Sequence, residues 1–296
     1  MKASLSAFPG LSRRCFCRLV WVLAVVPLLQ PAAFSQDPPL VPRALSLSEK
    51  EAFLRDAKVI QCRPAKKGIT GSMRATLSDG KFTNDASIQR IDFYRPIYST
   101  PGGVYVNFRD SYKYNIAAYR LAVLLDIDNI PPSVERGFGG SSCSYTWWIE
   151  NVLMDEEERL KKKIEPPDAL YWNEQMYVVR VFDQLIDNID RNMGNLLITK
   201  DWRIWMIDHS RAFRPTEKLS KTEDLRKCDR KLLTSLRTLT REQLNRHLGK
   251  YLTKTEIKCL LARRDLLVRH FEQQGEAGLF ELRKQVPALP AQAAAP

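Results

Sequence analysis

The sequence lacks long apolar runs, internal repeats and paired cysteines, and each absence excludes a class of protein. No stretch after residue 30 holds about 18 consecutive apolar residues, so the chain does not cross a membrane several times. No repeat with a period of about 20–50 residues is present, which excludes a repeat array. No C-x-x-C pair occurs, so a zinc site is not expected. The 296 residues, 44% hydrophobic and 27% charged, are typical of a globular protein with about two domains or lobes.

Acidic residues are absent before Asp37, although four basic residues lie in the same segment. The basic residues precede or border an apolar run at 19–29, which is too short to span a bilayer comfortably. Ala33 and Ser35 follow as the small residues typical of a cleavage site. We therefore predict a signal peptide over 1–35, an exported (periplasmic or secreted) protein, and no stable membrane span after cleavage. An uncleaved N-terminal anchor is the alternative.

Positive charge exceeds negative charge over the whole chain, with a formal net charge of +12. The basic residues responsible for this excess are distributed along the chain. An acidic run at 155–158 precedes three lysines at 161–163 on one predicted helix, a pattern typical of a solvated face with ion pairs. Aromatic and basic residues do not interleave as they do in nucleic-acid-binding modules. We expect no nucleic acid among the partners.

Four cysteines remain after removal of the predicted signal peptide: Cys62, Cys143, Cys228 and Cys259. In an oxidising compartment they allow two disulfides with three possible connectivities. The pair Cys228–Cys259 is slightly favoured, because both residues lie in the helical C-terminal part. Four buried free thiols are an equally good alternative.

The first half of the sequence predicts a β-rich lobe with one long helix. After an exposed, proline-containing lead-in at 36–47, Ser48 and Glu51 form a capping box that begins a short helix. Strands are predicted at 58–63, 72–77, 86–94 and 103–108, a helix at 112–126 and a hairpin at 131–149. Together these elements define an N-lobe at 48–151.

The second half is mostly helical. An amphipathic helix at 167–188 is followed by two short strands, at 196–199 and 203–207, and then by further helices. These elements define a C-lobe at 152–286. The proline- and alanine-rich residues 287–296 predict a disordered tail.

Polar residues with metal-binding character lie around the two short strands. Asp190 and Asn195 stand in the loop before the first strand, and Asp208 follows the second. Pairing of the strands as a hairpin brings the three side chains toward one end. Carboxylate and amide oxygens are hard ligands suited to Mg²⁺ and phosphate chemistry. The alternative is a helix-exit turn in which each residue caps backbone groups.

The pattern D-R-x-x-x-N at 190–195, followed by an apolar strand and I-D-H at 207–209, resembles the catalytic and metal loops of the protein-kinase-like superfamily. The phosphatidylinositol kinase, HipA-like and secreted Golgi casein kinase branches have the most similar motif, with D-R in place of the H-R-D order. The resemblance implies an α+β, bilobal protein-kinase-like fold, with a β-rich N-lobe, one long helix and a mostly helical C-lobe. It further implies ATP and Mg²⁺ (or Mn²⁺), with Asp190 as the catalytic residue and Asn195 and Asp208 as metal ligands.

The resemblance also suggests residues of the N-lobe that would contact nucleotide. Gly68, Gly71 and Ser72 are similar to a glycine loop that covers phosphate, although an ordinary hairpin turn explains them as well. Glu150 lies where a hinge between the lobes would contact adenine through its backbone. A core strand with two half-buried tryptophans is an equally good explanation of that segment.

Three positions depart from the family pattern. Where the phosphate-binding lysine is expected, the sequence has Gln89 and Arg90, and Asn115 stands at the position of its glutamate partner. Lys66, Lys67, Arg74 and Arg90 are the candidate replacements, and Arg90 is counted among the nucleotide-binding residues. His209 stands where the family usually has phenylalanine, and a core or surface histidine that binds no metal is the simplest interpretation.

These features predict an exported kinase-like protein that transfers the γ-phosphoryl group of ATP to a hydroxyl acceptor. The sequence leaves the acceptor open among protein, lipid, sugar and small molecule. The alternative is a secreted pseudokinase that binds nucleotide or a protein without turnover. A basic scaffold associated with the cell envelope is a third and weaker interpretation.

Overall fold

The computed structural model of the protein describes residues 45–65, 72–100, 103–188 and 191–283. The predicted signal peptide, most of the lead-in and the C-terminal tail lie outside the described residues. Gly68, Gly71 and Asp190 also lie outside them, together with Lys66 and Lys67.

The first part of the chain contains two helices and seven strands among its described residues. In order they are α1 (Leu47–Asp56), β1 (Lys58–Pro64), β2 (Met73–Ser78), β3 (Thr83–Gln89), β4 (Asp92–Thr100), β5 (Gly103–Ser111), α2 (Tyr112–Leu124), β6 (Ser133–Phe138) and β7 (Ser141–Trp147).

The second part is mostly helical, as expected. It contains β8 (Val152–Asp155), α3 (Glu156–Lys162), α4 (Ala169–Ile186), β9 (Leu196–Thr199), β10 (Ile204–Met206), β11 (Cys228–Asp229), α5 (Arg230–Thr238), α6 (Arg241–Leu248), α7 (Lys254–Gln274) and β12 (Leu279–Phe280). This mixture of an antiparallel sheet and a helical part confirms the predicted α+β class.

An antiparallel five-stranded sheet in the order β1-β2-β3-β7-β6 forms the first part of the fold. Side chains alternate across β3, so that Ala86 and Ile88 are fully buried on one face. They share a core cluster with Phe53 and Leu54 of α1, which therefore packs on that face. Gln89, at an odd position of the strand, is left for the opposite face.

Helix α1 begins two residues earlier than the sequence predicts. Ser46, not Ser48, is the N-cap, and its hydroxyl and the carboxylate of Glu49 form the capping box. Glu51 is not free for that role, because it accepts hydrogen bonds from Arg55 and from the hydroxyl of Tyr119 in α2 (2.9 Å). The predicted Ser48–Glu51 box is therefore wrong.

The predicted strand at 86–94 is divided in two. β3 ends at Gln89, and β4 pairs only with β5, as a separate antiparallel hairpin. Both edges of β3 are already occupied, by β2 and β7, so the hairpin cannot pair with β3. At its base, the Tyr112 N–H donates to the carbonyl of Ile91, which directs the chain into α2.

Helix α2 is buried on almost every side and connects the two parts of the fold. Ser111 caps its first turn, and its side chains at 116–119, 121 and 122 belong to the large core cluster that includes α4 and α7. The helix also packs against β6 and β7 of the sheet. The predicted lobe boundaries at 48–151 and 152–286 stay a prediction.

The four cysteines of the described chain are free thiols. The favoured Cys228–Cys259 disulfide is wrong, and the alternative of free thiols agrees with the structure. Cys228 lies in β11, paired with β12, and its thiol donates to the carbonyl of Asp229. Burial favours the neutral thiol and raises the pKa of Cys228 to about 12.

No helix in the described ranges is both long enough and apolar enough to cross a membrane.

Candidate active site

The β9–β10 hairpin brings Asn195 and Asp208 to the same end. Leu196 pairs with Met206, and one step further the Ile207 N–H donates to the carbonyl of Asn195 (3.0 Å). Asp208 is the next residue after Ile207. Antiparallel register therefore places Asn195 and Asp208 at the same end of the hairpin, and both residues are half-buried.

Asp208 adopts a left-handed backbone conformation, with φ 53°. Among residues other than glycine, aspartate and asparagine tolerate this region best, and such conformations persist where surrounding contacts support them. The contacts come from β3 and α2. Gln89 Nε2 donates to Asp208 Oδ1 at 3.4 Å, and the backbone N–H of His209 donates to Asn115 Oδ1 at 2.7 Å.

Gln89 and Asn115 also contact each other. Asn115 Nδ2 donates to Gln89 Oε1 in a short hydrogen bond, so that β3, α2 and the segment after β10 are connected by side-chain amides. The two residues occupy the positions at which the resemblance implies a lysine and a glutamate. The structure thus has a neutral pair where the family pattern has an ion pair.

A buried arginine fixes the chain between α4 and β9. Arg191 forms a two-pronged ion pair with Asp183, with N–O distances of 2.9 and 2.7 Å, and its third nitrogen donates to the carbonyl of Ile207 (2.8 Å). Asn188 donates to the same carboxylate at 3.0 Å. Sequence reasoning named Arg191 only as part of the motif and missed Asp183. The signal for Asp183 was a single carboxylate among the apolar residues near the end of the predicted helix.

His209 lies in the core, one of the two positions left open by the sequence. Its ring meets that of Phe182 edge to face, with centroids 6.0 Å apart. Burial, and secondarily the positive charge of Arg191, lowers its pKa well below the usual range. The imidazole is therefore neutral at pH 7 and adds no positive charge beside Asp208.

The arginines considered as replacements for the lysine make other contacts. Arg90 lies over the ring of Phe138, 5.8 Å from its centroid, at the β6–β7 turn. Arg74 pairs with Asp85 and lies 4.2 Å from the ring centroid of Trp148. In the described part of the chain no lysine or arginine forms an ion pair with Asp208.

The other predicted nucleotide contacts are not joined to Asp208 by any hydrogen bond or ion pair among the described residues. The carbonyl of Ser72 accepts from Ala65 N–H (2.9 Å), which closes the two strands on either side of residues 66–71. Glu150 is exposed and is the third residue after the end of β7. Trp148, in the same connecting segment, donates its backbone N–H to the carbonyl of Asp85 (3.1 Å).

The residues around Asp208 fit a divalent cation. The carboxylate receives a hydrogen bond from a neutral amide and has no cationic partner in the described ranges, while Asn195 adds an amide oxygen at the same end of the hairpin. Such oxygen ligands suit Mg²⁺ or Mn²⁺ bound together with phosphate. Within the described residues no group of three or more His, Cys, Asp or Glu is placed to hold a metal alone.

Comparison with solved structures identifies the fold. Fam20 from hydra, solved with a sugar, aligns with a TM-score of 0.60 at 16% identity, over 79% of this chain and 92% of the other. The Golgi casein kinase with Mn/ADP bound aligns with a TM-score of 0.58 at 13% identity, over 82% and 80% of the two chains. Another structure of that kinase gives a TM-score of 0.56 at 15% identity, over 81% and 78%.

These similarities confirm the predicted protein-kinase-like fold, with a β-rich N-lobe and a mostly helical C-lobe. No protein-family model matches the sequence, and no curated protein sequence matches it.

Proposed function

We propose that the protein is an exported kinase-like phosphotransferase that moves the γ-phosphoryl group of ATP to a hydroxyl acceptor. The observation that carries the proposal is the placement of Asn195 and Asp208 at the same end of the β9–β10 hairpin, within a kinase-like fold. Asp208 has no cationic partner among the described residues, which leaves its charge available for a metal ion.

In this proposal Asn195 and Asp208 hold Mg²⁺ or Mn²⁺. The metal, when bound, offsets the negative charge of the phosphates during transfer. Asp190 orients the acceptor hydroxyl and accepts its proton. Its role is supported by the motif, in which it directly precedes Arg191 and stands five residues before Asn195.

The nucleotide-binding residues of the proposal come from the sequence motif. Gly68, Gly71 and Ser72 cover the phosphates, Glu150 contacts the base through its backbone, and Arg90 adds positive charge to the lobe. ADP and manganese in the structurally similar Golgi casein kinase support the choice of nucleotide and metal.

Export is proposed from the first 35 residues. Their basic start, short apolar run and small residues match a signal peptide. The Golgi origin named for a structural neighbour is consistent with action outside the cytosol.

A second candidate function is favoured by the Gln89–Asn115 pair. A phosphotransferase of this superfamily uses a lysine, held by a glutamate, to fix the α- and β-phosphates. Both positions here carry neutral amides. A pseudokinase that binds nucleotide or a protein partner without turnover would tolerate that change.

Two measurements on the same proteins separate these candidates. Melting temperature with ATP and Mg²⁺ or Mn²⁺ reports binding, and transfer from γ-labelled ATP to an extract of exported material reports turnover. Asp208→Ala should remove the metal-dependent rise in melting temperature. Asp190→Asn should keep that rise but lower transfer by about 10²–10⁴-fold.

Asp56→Ala is the matched control, because this exposed carboxylate ends α1, on the opposite face of the sheet from Gln89. An equal thermal shift in Asp208→Ala and wild type would contradict the metal site. Nucleotide binding without transfer in any protein would favour the pseudokinase.

A further inference from the structure

The amide groups of Gln89 and Asn115 have only one consistent orientation. The backbone N–H of His209 can only donate, so the Asn115 atom facing it must be Oδ1. This leaves Asn115 Nδ2 to donate to Gln89 Oε1, and Gln89 Nε2 to donate to Asp208. All three hydrogen bonds therefore run in one direction and end on the carboxylate.

This chain of hydrogen bonds holds Asp208 at two points. It begins at the N–H of His209, the next residue, and returns to the side chain of Asp208 itself. The backbone after Asp208 and its carboxylate are thus fixed by the same pair of side chains. At φ 53° the backbone of Asp208 is in the left-handed region, which is less favourable than helical or extended backbone, and the two contacts hold it there.

The pair is buried and carries no charge. Gln89 is 9% exposed and Asn115 6% exposed. Burying an ion pair there would cost desolvation energy, whereas the two uncharged amides hydrogen-bond to each other, to the His209 N–H and to Asp208. Hydrogen bonds aligned in one direction polarise each other in a low-dielectric interior. The amides therefore orient Asp208 without adding a cation that would compete with a metal ion for its carboxylate.

We propose that Gln89 and Asn115 are the positioning pair of this site, a neutral substitute for an ion pair that orients Asp208 toward a divalent cation. The inference rests on the proposed metal site at Asp208. It implies that metal, and not a strand lysine, supplies the positive charge beside Asp208.

Mn²⁺ alone is the probe, and its affinity for the full chain is measured by electron paramagnetic resonance, without nucleotide. Gln89→Leu and Asn115→Leu should each weaken Mn²⁺ binding by about 10–100-fold, the usual effect of losing a residue that orients a metal ligand. Asn115→Ser, which is too short to reach both partners, should give the same result and serves if the leucine variant does not fold.

Gln175→Leu is the matched control. Gln175 is an equally buried amide in α4, which donates to the Trp202 carbonyl and accepts from Ile204 N–H. Its loss removes a buried amide that does not touch Asp208, so Mn²⁺ affinity should stay at the wild-type value. Equal affinities in all variants, or equal weakening in the control, would overturn the proposal.

Hydrogen exchange of the His209 amide separates failure of the pair from failure of the metal site. If Asp208→Ala binds Mn²⁺ like wild type, the proposed function loses its metal site. The pair is then judged by exchange alone. Faster exchange at His209 in Asn115→Leu than in Gln175→Leu supports a positioning role, and equal exchange rates refute it.

Discussion

Arg191 and Asp183 form a buried, two-pronged ion pair at the start of the loop that leads to Asn195. Their side chains are 8% and 9% exposed, and the same guanidinium holds the carbonyl of Ile207, the residue before Asp208. One arginine therefore connects the end of α4 with the end of β10, the two elements that flank the candidate metal site.

Arg191→Met should destabilise the protein strongly. Removing one partner of a buried pair leaves the other charge buried alone, at a cost of about 3–5 kcal/mol. The free energy of unfolding from urea titration measures this effect. The double variant Asp183→Leu/Arg191→Met should lose less than the single variant, because no unpaired charge remains.

The exposed pair Arg237–Glu272 is the control, since its side chains are 48% and 47% exposed. Arg237→Met should cost less than about 1 kcal/mol. If Arg191→Met lost no more free energy of unfolding than Arg237→Met, the buried pair would not support the loop.

Native alkylation should modify Cys62 and spare the other cysteines of the described chain. Cys62 is half-buried, whereas Cys143, Cys228 and Cys259 are buried. Burial also raises the pKa of Cys143 to about 11, which reduces the reactive thiolate at pH 8. Iodoacetamide labelling followed by peptide mapping tests this. Labelling of Cys228 before Cys62 would contradict the described packing.

Burial of the Cys228 thiol makes the stability of the protein fall at high pH. Because the pKa of Cys228 is raised to about 12 from 9.0, the native thiol keeps its proton where the unfolded chain loses it. Stability is therefore unaffected at pH 7 and decreases as pH rises above about 9, by at most about 1.4 kcal/mol per pH unit for this thiol. Cys228→Ala should flatten the decline between pH 9 and 11 in urea titrations. An unchanged slope would argue against the shift.

The contiguous motif made part of the site predictable. Asn195 and Asp208 flank two short apolar strands, and hairpin pairing follows from that pattern alone. The helix before the motif was equally clear, because its apolar residues repeat with helical period.

The side-chain contacts that Gln89 and Asn115 make with the motif could not be predicted from the sequence. Gln89 lies 119 residues from Asp208, and Asn115 lies 94 residues from His209, so only the tertiary fold brings them together. Their neutral side chains gave no charge pattern to follow. The break between β3 and β4 was missed for a related reason, since pairing with β2 and β7 decides where β3 ends.

Protein recovered from its native compartment should begin near Gln36. The small residues Ala33 and Ser35 after the apolar run predict cleavage within a few residues of that position. Intact-mass measurement of the exported fraction tests this expectation. A soluble cytosolic form that keeps residues 1–35 would contradict export.

Rebuilding the ion pair should strengthen nucleotide binding. In Gln89→Lys/Asn115→Glu, the lysine ammonium has a carboxylate partner on α2 and can also meet the phosphates, as in the superfamily pattern. ATP affinity measured with saturating Mg²⁺ should rise by about tenfold or more over wild type, and any slow transfer should increase with it.

Each single variant should fall short of the double variant. Gln89→Lys alone places its ammonium against Asp208 and competes with metal, whereas Asn115→Glu alone buries a carboxylate that faces no cation. The coupling energy from the four proteins, measured by ATP titration, should therefore favour the double variant by about 0.5–3 kcal/mol. Additive effects of the two substitutions would show that positions 89 and 115 do not act as a pair.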